Sequence, residues 1–344
     1  MTQRAEDVGP TPRLSWRVAV ALLFALAAGA ICWRAQYVAH ALGGDYLMIW
    51  RATHIALDGG DPYRLMWWME LPALHTPFNY PLPAVGMGLP FVWLRQQNAA
   101  IAFVACSAGL LGFAITRRNL DRIGILLSVP FIFAAQLSQT SFLILALALF
   151  PAAAGLTGMK PNIGLALFAW RPRWWTVFSG GLLLFGTIVI SPEWPAEWLA
   201  LVRSSPTHSA PIATGVGALA LLAVLRWRRP EARLLIAMTL IPHGLYFYDE
   251  LPLWLIASSR RDALLLTGAS WIGWVLWVAT SSGAGAPHLR DAATWLVASL
   301  YLSCLWLVLR RPNVGQVPEF VERAVARLPR SIRGWPCAEA RHAA

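Results

Sequence analysis

Long apolar runs recur along the whole of this chain, and they constrain its fold more than any other feature. The runs are about 15–20 residues long, which is the length that an α-helix needs to cross the hydrocarbon core of a bilayer. Across 344 residues the chain is 57% hydrophobic and 13% charged, whereas ordinary soluble domains carry roughly 25% charged residues. The sequence therefore predicts an all-α integral membrane protein, a polytopic helical bundle without a separate soluble domain.

The apolar runs predict about ten to twelve transmembrane helices. Two runs, 161–171 and 250–258, are too short to cross alone and are predicted to be broken or tilted. The first run could pass for a signal peptide, but because so many spans follow it we expect an uncleaved helix. The other predicted spans are 16–36, 79–94, 98–116, 122–137, 139–157, 174–190, 212–225, 233–247, 263–280 and 291–309.

The basic residues predict which loops face the cytoplasm. The net charge is +11, and the arginines cluster between apolar runs, as in cytoplasmic loops under the positive-inside rule. Nucleic acid is therefore not an expected partner, whereas membrane lipids are. With the N-terminus inside, the outward-facing segments are 39–78, 191–211, 243–249 and 281–290. Six of the seven histidines fall on that side: His40, His54, His75, His208, His243 and His288.

Two basic regions bear on this topology in opposite ways. Arg95 and the tail after Arg310 fall inside, as the positive-inside rule requires. The cluster of Arg117, Arg118 and Arg122 falls outside. Either the predicted number of crossings is wrong before this cluster, or these arginines have a function of their own.

The chain lacks the motifs of soluble cofactor enzymes. It contains no glycine-rich phosphate loop, no dinucleotide-binding fingerprint and no zinc motif. Its four cysteines have neither a disulfide framework nor a metal-ligand spacing. We therefore expect no metal and no cofactor. An active site would have to be assembled from loops and helix ends at one membrane face, where a substrate that resides in the bilayer could reach it.

Three aspartates lie among aromatic residues directly after the first apolar run. The spacing of apolar residues predicts an amphipathic helix over 46–57 near the membrane interface. Asp58 and the two glycines after it would end this helix, and Asp61, which precedes a proline, is typical of a turn. Asp45 has two interpretations, a helix N-cap or a functional carboxylate, because Ser, Thr, Asn or Gly would cap as well.

Lys160 is the only lysine of the chain; the other 27 basic residues are arginine. It stands between two apolar runs with no acidic neighbour in sequence. An ionisable side chain at membrane depth costs about 2.5–3.5 kcal/mol on insertion scales, so it indicates function by default. Its compact charge suits a phosphate. The alternative is a lysine that snorkels to the interface from a helix end.

Further polar residues interrupt apolar runs on the predicted outer side. In the segment 241–254, Asp249 could cap the next helix. Alternatively this segment is a hydrogen-bonding surface for a hydroxyl-rich substrate, with His243 donating to a phosphate. Tyr80 and Gln139 stand at predicted helix ends, where polar residues are most often structural.

The order of these motifs resembles the integral-membrane glycosyltransferases of family 87, which include the polyprenyl-phosphate-mannose-dependent mannosyltransferases. The likeness covers roughly residues 40–260. It consists of an aspartate after the first span, Gly-Gly-Asp-Pro-Tyr, Phe-Asn-Tyr-Pro-Leu-Pro, Met-Lys-Pro, and Pro-His followed by Tyr-Asp. Two features depart from the family pattern: Ser138 stands where the family tends to have glycine before Gln139, and Glu250 is additional.

The resemblance implies a GT-C fold, with residues 1–311 as a transmembrane catalytic module and 312–344 as a basic cytoplasmic tail. It implies inverting transfer of a hexose, with mannose expected, from a polyprenyl-phosphate donor to a lipid-linked or glycan acceptor at the extracytoplasmic face of the cell membrane. Asp45 would be the catalytic base, and Lys160 and His243 would bind the donor phosphate. The residues implied to bind substrate are Tyr63, Tyr80, Gln139, Tyr248 and Asp249.

Two other functions are compatible with a chain of this kind. A transporter or flippase of a lipid-linked amphiphile would place ionisable residues near the bilayer midplane, whereas here they gather at one predicted face. A glycan polymerase or ligase also uses lipid-linked sugars, but it would present a large basic loop late in the chain. In this sequence the loop with the candidate functional residues is the first one, 39–78.

Overall fold

The computed structural model of the chain describes residues 12–39, 44–68, 78–117, 119–204, 209–281 and 289–315, together with Val317, Arg323 and Arg327. Within these residues every regular element is a helix, so the predicted all-α class is confirmed. Parts of the predicted outer loops, with His40, His75, His208 and His288, and most of the predicted tail lie outside the described residues.

The first half of the chain alternates α-helices with 3₁₀ segments. The α-helices are α1 (Leu14–Trp33), α2 (Gly44–Leu57), α3 (Pro62–Trp68), α4 (Gln96–Ile115), α5 (Val129–Gln136), α6 (Ser141–Leu149) and α7 (Pro161–Trp170). A π-helical turn, Arg34–Val38, extends α1. The 3₁₀ segments are Leu82–Met87, Leu89–Phe91, Asp121–Leu127 and Pro151–Met159. The predicted amphipathic helix over 46–57 is thereby confirmed as α2.

The second half follows the same pattern. Its α-helices are α8 (Trp174–Ile190), α9 (Trp194–Ser204), α10 (Pro230–Leu240), α11 (Arg260–Ser281), α12 (Leu289–Leu296) and α13 (Leu302–Leu309). The 3₁₀ segments are Pro211–Thr214, Val216–Arg226 and Tyr248–Ile256, and a π-helical segment, Val297–Tyr301, joins α12 to α13. The predicted short helices over 161–171 and 250–258 correspond to α7 and to Tyr248–Ile256.

The described residues contain fewer long apolar helices than the ten to twelve predicted. In the described part, four helices are long and apolar enough to cross a membrane: Leu14–Val38, Gln96–Ile115, Arg260–Ser281 and Ala292–Leu309. The number rises to six if the bent pairs α5–α6 (118°) and α8–α9 (104°) are each one span. The apolar runs over 79–94 and 212–225 are short 3₁₀ segments instead. Hydropathy indicates that a segment is buried, but it does not indicate whether the segment crosses the bundle. In addition, prolines at the start of several segments interrupt α-helical hydrogen bonding.

The antiparallel pair α1–α4 defines the two ends of the bundle. Near the start of α1, the Arg17 guanidinium donates to the carbonyl of Phe113 at 3.2 Å. Near its other end, the Tyr37 hydroxyl donates to Asn98 Oδ1 at 2.7 Å. The chain between these two helices therefore begins and ends at the same end of the bundle, and the predicted span 79–94 does not cross it.

This geometry corrects the predicted positions of two basic regions. Arg95 was predicted to lie with the other basic clusters. In the structure it lies at the opposite end of the bundle, near Tyr37. Arg117 and Arg122 lie at the end of Arg17: Arg122 donates at 3.1 Å to the carbonyls of both Leu255 and Ala257. The predicted placement of this cluster opposite the other arginines is therefore wrong, because one apolar run that was counted as a span is not one.

The arginine-rich end of the bundle comprises Arg17, Arg122, Arg226, Arg310 and Arg311. Arg226 donates to the carbonyls of Leu309 and Arg311 at 3.2 and 2.7 Å, and Arg310 and Arg311 both bind Asp262. The last carbonyls of a helix have no partner within the helix, and several of these guanidinium groups supply one. These arginines therefore hold helix ends together, in addition to any effect on membrane orientation.

Candidate functional site

The turn between α5 and α6 receives the first turn of α2. The Asp45 amide donates to the Leu137 carbonyl at 3.1 Å. Gly44 and Ser138 both have positive φ, +54° and +53°. The Ser138 hydroxyl lies 3.4 Å from both Cys32 Sγ and Gln36 Nε2, near the end of α1. Asp45 is therefore held at the end of the bundle opposite the arginine-rich end.

Glycine is required at position 44 for two reasons that can be separated by experiment. A Cβ at Gly44 would lie 2.0 Å from the Leu137 carbonyl oxygen, whereas a Cβ at Gly59 (φ +76°) would meet nothing within 4 Å. Left-handed backbone alone costs a non-glycine residue about 1–2 kcal/mol. We expect Gly44→Ala to lower the thermal unfolding midpoint clearly more than Gly59→Ala does. Equal shifts would show that the α2 contact with the α5–α6 turn is not rigid.

The Asp45 carboxylate is partly buried and has two polar neighbours. The Tyr80 hydroxyl donates to Asp45 Oδ2 at 3.4 Å, and the Gln139 side chain donates a second hydrogen bond to the carboxylate. Burial raises the pKa of the Asp45 carboxyl above its usual value; these hydrogen bonds and the charge of Lys160 oppose the shift. Because Asp45 lies inside the first turn of α2 with its side chain engaged elsewhere, helix capping does not explain it.

The other two aspartates of this stretch have the structural roles predicted for them. Asp58 directly follows α2 and is exposed, with Gly59 in the left-handed conformation. Asp61 Oδ1 accepts from the Tyr63 amide at 2.8 Å, in the turn that begins α3. The Tyr63 hydroxyl donates to the Tyr80 carbonyl at 3.0 Å and is buried. Tyr63 thus supports Tyr80, and Tyr80 contacts Asp45.

Lys160 forms a buried ion pair, not the exposed end of a snorkelling side chain. Its side chain is 8% exposed, and its Nζ lies 2.5 Å from Asp249 Oδ1. The Ser141 hydroxyl donates to the same carboxylate oxygen at 2.8 Å, and the Gly244 amide donates to Asp249 Oδ2 at 3.3 Å. The Tyr248 ring centroid is 5.4 Å from the ammonium. Asp249 is accordingly the counter-ion of Lys160.

These two groups of residues form one site. The charges of Lys160 and Asp249 both act on Asp45. Gln139 lies in the α5–α6 turn, and Ser141 is the first residue of α6. The Gln139 Oε1 atom is buried without a hydrogen-bond partner among the described residues. An ammonium has three donors, and Lys160 uses two, on Asp249 and Ser141. Within the part of the chain that the structure describes, Gln139 Oε1 is therefore an available acceptor and the third N–H of Lys160 an available donor.

His243 belongs to a neighbouring buried cluster. Its Nδ1 lies 2.7 Å from the Ile241 carbonyl, its Nε2 lies 3.0 Å from the Tyr301 hydroxyl, and Glu250 Oε1 is 3.4 Å from Nε2. Since both ring nitrogens have partners and the side chain is 1% exposed, this geometry does not leave His243 free to bind a donor phosphate. Glu250 is the carboxylate beside it.

A surface ion-pair cluster connects α3 to the bend between α8 and α9. Arg64 lies 2.5 Å from Glu193, 2.8 Å from Glu197 and 3.2 Å from Asp61. Exposed pairs of this kind contribute little to stability, because water screens the charges. Beside them, Trp198 Nε1 donates to the Asn79 carbonyl at 3.0 Å. These contacts position α9 against the segment that carries Tyr80.

Two residues of the site were not predicted from the sequence. Ser141 lies two positions after Gln139, in a stretch notable only for being polar, and Tyr301 lies inside an apolar run, where its hydroxyl was the only signal. Among the described residues, no three His, Cys, Asp or Glu side chains lie close enough together to hold a metal ion.

The helices and their composition define the chain as a helical membrane protein with a polar site built at one end of its bundle. No family model, curated protein or solved structure matches it. The chemistry of the site and the order of the sequence motifs are therefore the basis for the functional proposal.

Proposed function

We propose that this chain is an inverting glycosyltransferase of the GT-C type. It would transfer a hexose, mannose in the first instance, from a polyprenyl-phosphate donor to a lipid-linked or glycan acceptor. The observation that carries the proposal is the Asp45 carboxylate, partly exposed, beside the buried Lys160–Asp249 pair. If the arginine-rich end is cytoplasmic, as the positive-inside rule requires, Asp45 faces the extracytoplasmic side.

Asp45 would be the general base of an in-line displacement. Its carboxylate takes the proton from the acceptor hydroxyl while the hydroxyl oxygen bonds to the anomeric carbon. The bond from that carbon to the donor phosphate oxygen breaks, and the electron pair leaves with the polyprenyl phosphate. Because a phosphate is a good leaving group, one carboxylate is enough, whereas glycoside hydrolysis uses two. A single displacement inverts the anomeric centre.

Lys160 would stabilise the phosphate charge that develops as the bond breaks. Its free donor is available for a phosphate oxygen while Asp249 and Ser141 hold the ammonium in place. The ion pair with Asp249 also explains how the protein keeps the Lys160 cation in a buried position. Gln139, through its free carbonyl oxygen, and Tyr80 and Tyr248 would contact sugar hydroxyls.

The direct test is a transfer assay with the purified chain and a radiolabelled polyprenyl-phosphate mannose, measured across pH. Deprotonated Asp45 is the active form, so we expect kcat/KM to fall as the pH drops through the Asp45 pKa. Because that pKa is raised, the midpoint should lie above the value of about 3.9 for an ordinary aspartate. Absence of transfer, with donor moving across proteoliposome membranes instead, would contradict the proposal and favour a flippase.

A further inference from the structure

A shallow, open groove between α11 and α13 lies on the outer surface of the bundle, away from the Asp45 site. It has a volume of about 360 Å³ and is lined by Leu265, Leu302, Ser303 and Trp306. Trp306 is 53% exposed. Both α11 and the helix that contains α13 are long and apolar enough to cross a membrane, so the groove opens towards lipid.

The two helices run antiparallel, which fixes where the groove meets charge. Arg310, at the end of α13, binds Asp262, at the start of α11. At the middle of α11, a Cβ on Gly273 would be 2.3 Å from the Ser299 hydroxyl. Near the end of α11, Trp295 Nε1 donates to Thr280 at 2.9 Å. The start of α11 and the end of α13 are therefore side by side at the arginine-rich end.

Arginines stand at that end of the groove, one turn beyond its lining. Residues four apart share a helix face, so Arg261 lies beyond Leu265, and Arg310 lies beyond Trp306. The Arg310 guanidinium packs over the Trp306 ring, 4.6 Å from its centroid. Arg260 and Arg261 are exposed, and neither pairs with another described residue. In α11 and α13 the only acidic side chain is Asp262, which Arg310 and Arg311 share.

We propose that this groove binds a phospholipid with an anionic headgroup. One acyl chain would lie in the groove against Leu265, Leu302 and Trp306, and the phosphate would lie between Arg261 and Arg310. Arg260, Arg261, Arg310 and Arg311 outnumber the nearby carboxylates, which are Asp262 and Glu231. Positive charge is therefore in excess where lipid headgroups meet the bundle. An apolar groove that ends at exposed arginines in this way matches an anionic lipid better than a zwitterionic one or a soluble anion. The proposal is independent of the proposed transferase activity.

The test is a lipid titration of the purified full chain in detergent, with bound lipids counted by native mass spectrometry. We expect phosphatidylglycerol to bind more tightly than phosphatidylcholine, and glycerol phosphate without acyl chains not to compete. A surface arginine contributes about fivefold to the affinity for anionic lipid. Arg260→Gln/Arg261→Gln should therefore weaken phosphatidylglycerol binding by more than fivefold. Ser303→Phe, which places a ring in the groove, should weaken the binding of both lipids.

Two matched controls make the result decisive. Arg13→Gln/Arg173→Gln removes the same charge from exposed arginines that directly precede α1 and α8. Leu182→Phe adds the same ring to the exposed surface of α8. Both variants should leave binding unchanged. Equal binding of the two lipids by the wild type would overturn the proposal, as would equal losses in the two double arginine variants. Cross-linking between two Ser303→Cys copies in the membrane would also overturn it, by showing that a second copy covers the groove.

Discussion

Asp45→Asn should reduce kcat/KM for sugar transfer by about 10²–10⁴-fold, the usual contribution of a general base. The amide has nearly the same shape as the carboxylate and can still bond to Tyr80 or Gln139, but it cannot take up a proton. We therefore expect normal expression and an unfolding midpoint close to that of the wild type. The measurement is transfer from labelled polyprenyl-phosphate mannose, together with the thermal unfolding curve.

The same change at Asp58 is the matched control. Asp58 lies in the same stretch, is exposed, and follows the end of α2, so Asp58→Asn should transfer at the wild-type rate. If Asp45→Asn folds normally and transfers as fast as Asp58→Asn, Asp45 is not the base. The proposed mechanism would then be wrong, even if the chain does transfer a sugar.

Breaking the Lys160–Asp249 pair should give the largest loss of stability. Lys160→Met leaves a carboxylate that is 2% exposed without its cation. Removing one partner of a buried pair typically destabilises a protein by about 3–5 kcal/mol, whereas replacing both partners is often neutral. We expect Lys160→Met to unfold at a much lower temperature, and Lys160→Met/Asp249→Asn to recover most of the loss.

The double variant also separates structure from catalysis. If Lys160 stabilises the donor phosphate, the restored protein should still transfer slowly and show a raised KM for the donor. If transfer recovers together with stability, the ion pair is structural only and the phosphate role of Lys160 is excluded. The free Lys160 donor predicts the first outcome.

Local features of the site were readable from the sequence because they depend on nearby residues. The apolar spacing over 46–57 and the following glycines predict α2 and its end correctly, and the proline after Asp61 predicts the turn. Lys160 stood out because it is the only lysine in an apolar environment. Its partner was not readable, because Asp249 is 89 positions away and no local pattern connects them.

The crossing count failed for a related reason. A hydropathy window cannot distinguish an apolar segment that crosses the bundle from one that turns back inside it, such as Leu82–Phe91. One miscounted crossing placed the Arg117–Arg122 cluster opposite the other basic residues. The contact between Arg17 and Phe113 corrects it, since a hydrogen bond between two helix ends specifies which ends are together.

By itself, the sequence determined that this chain is an all-α membrane protein and marked Asp45 and Lys160 as the residues to examine. Composition, apolar periodicity and turn residues act over a few positions, and they are sufficient for those conclusions. Only the tertiary structure decided that Asp249 neutralises Lys160, that the Tyr301 hydroxyl engages His243, and that the arginines of the arginine-rich end lie together. Each of these depends on contacts between helices distant in sequence, which packing creates and local sequence does not encode.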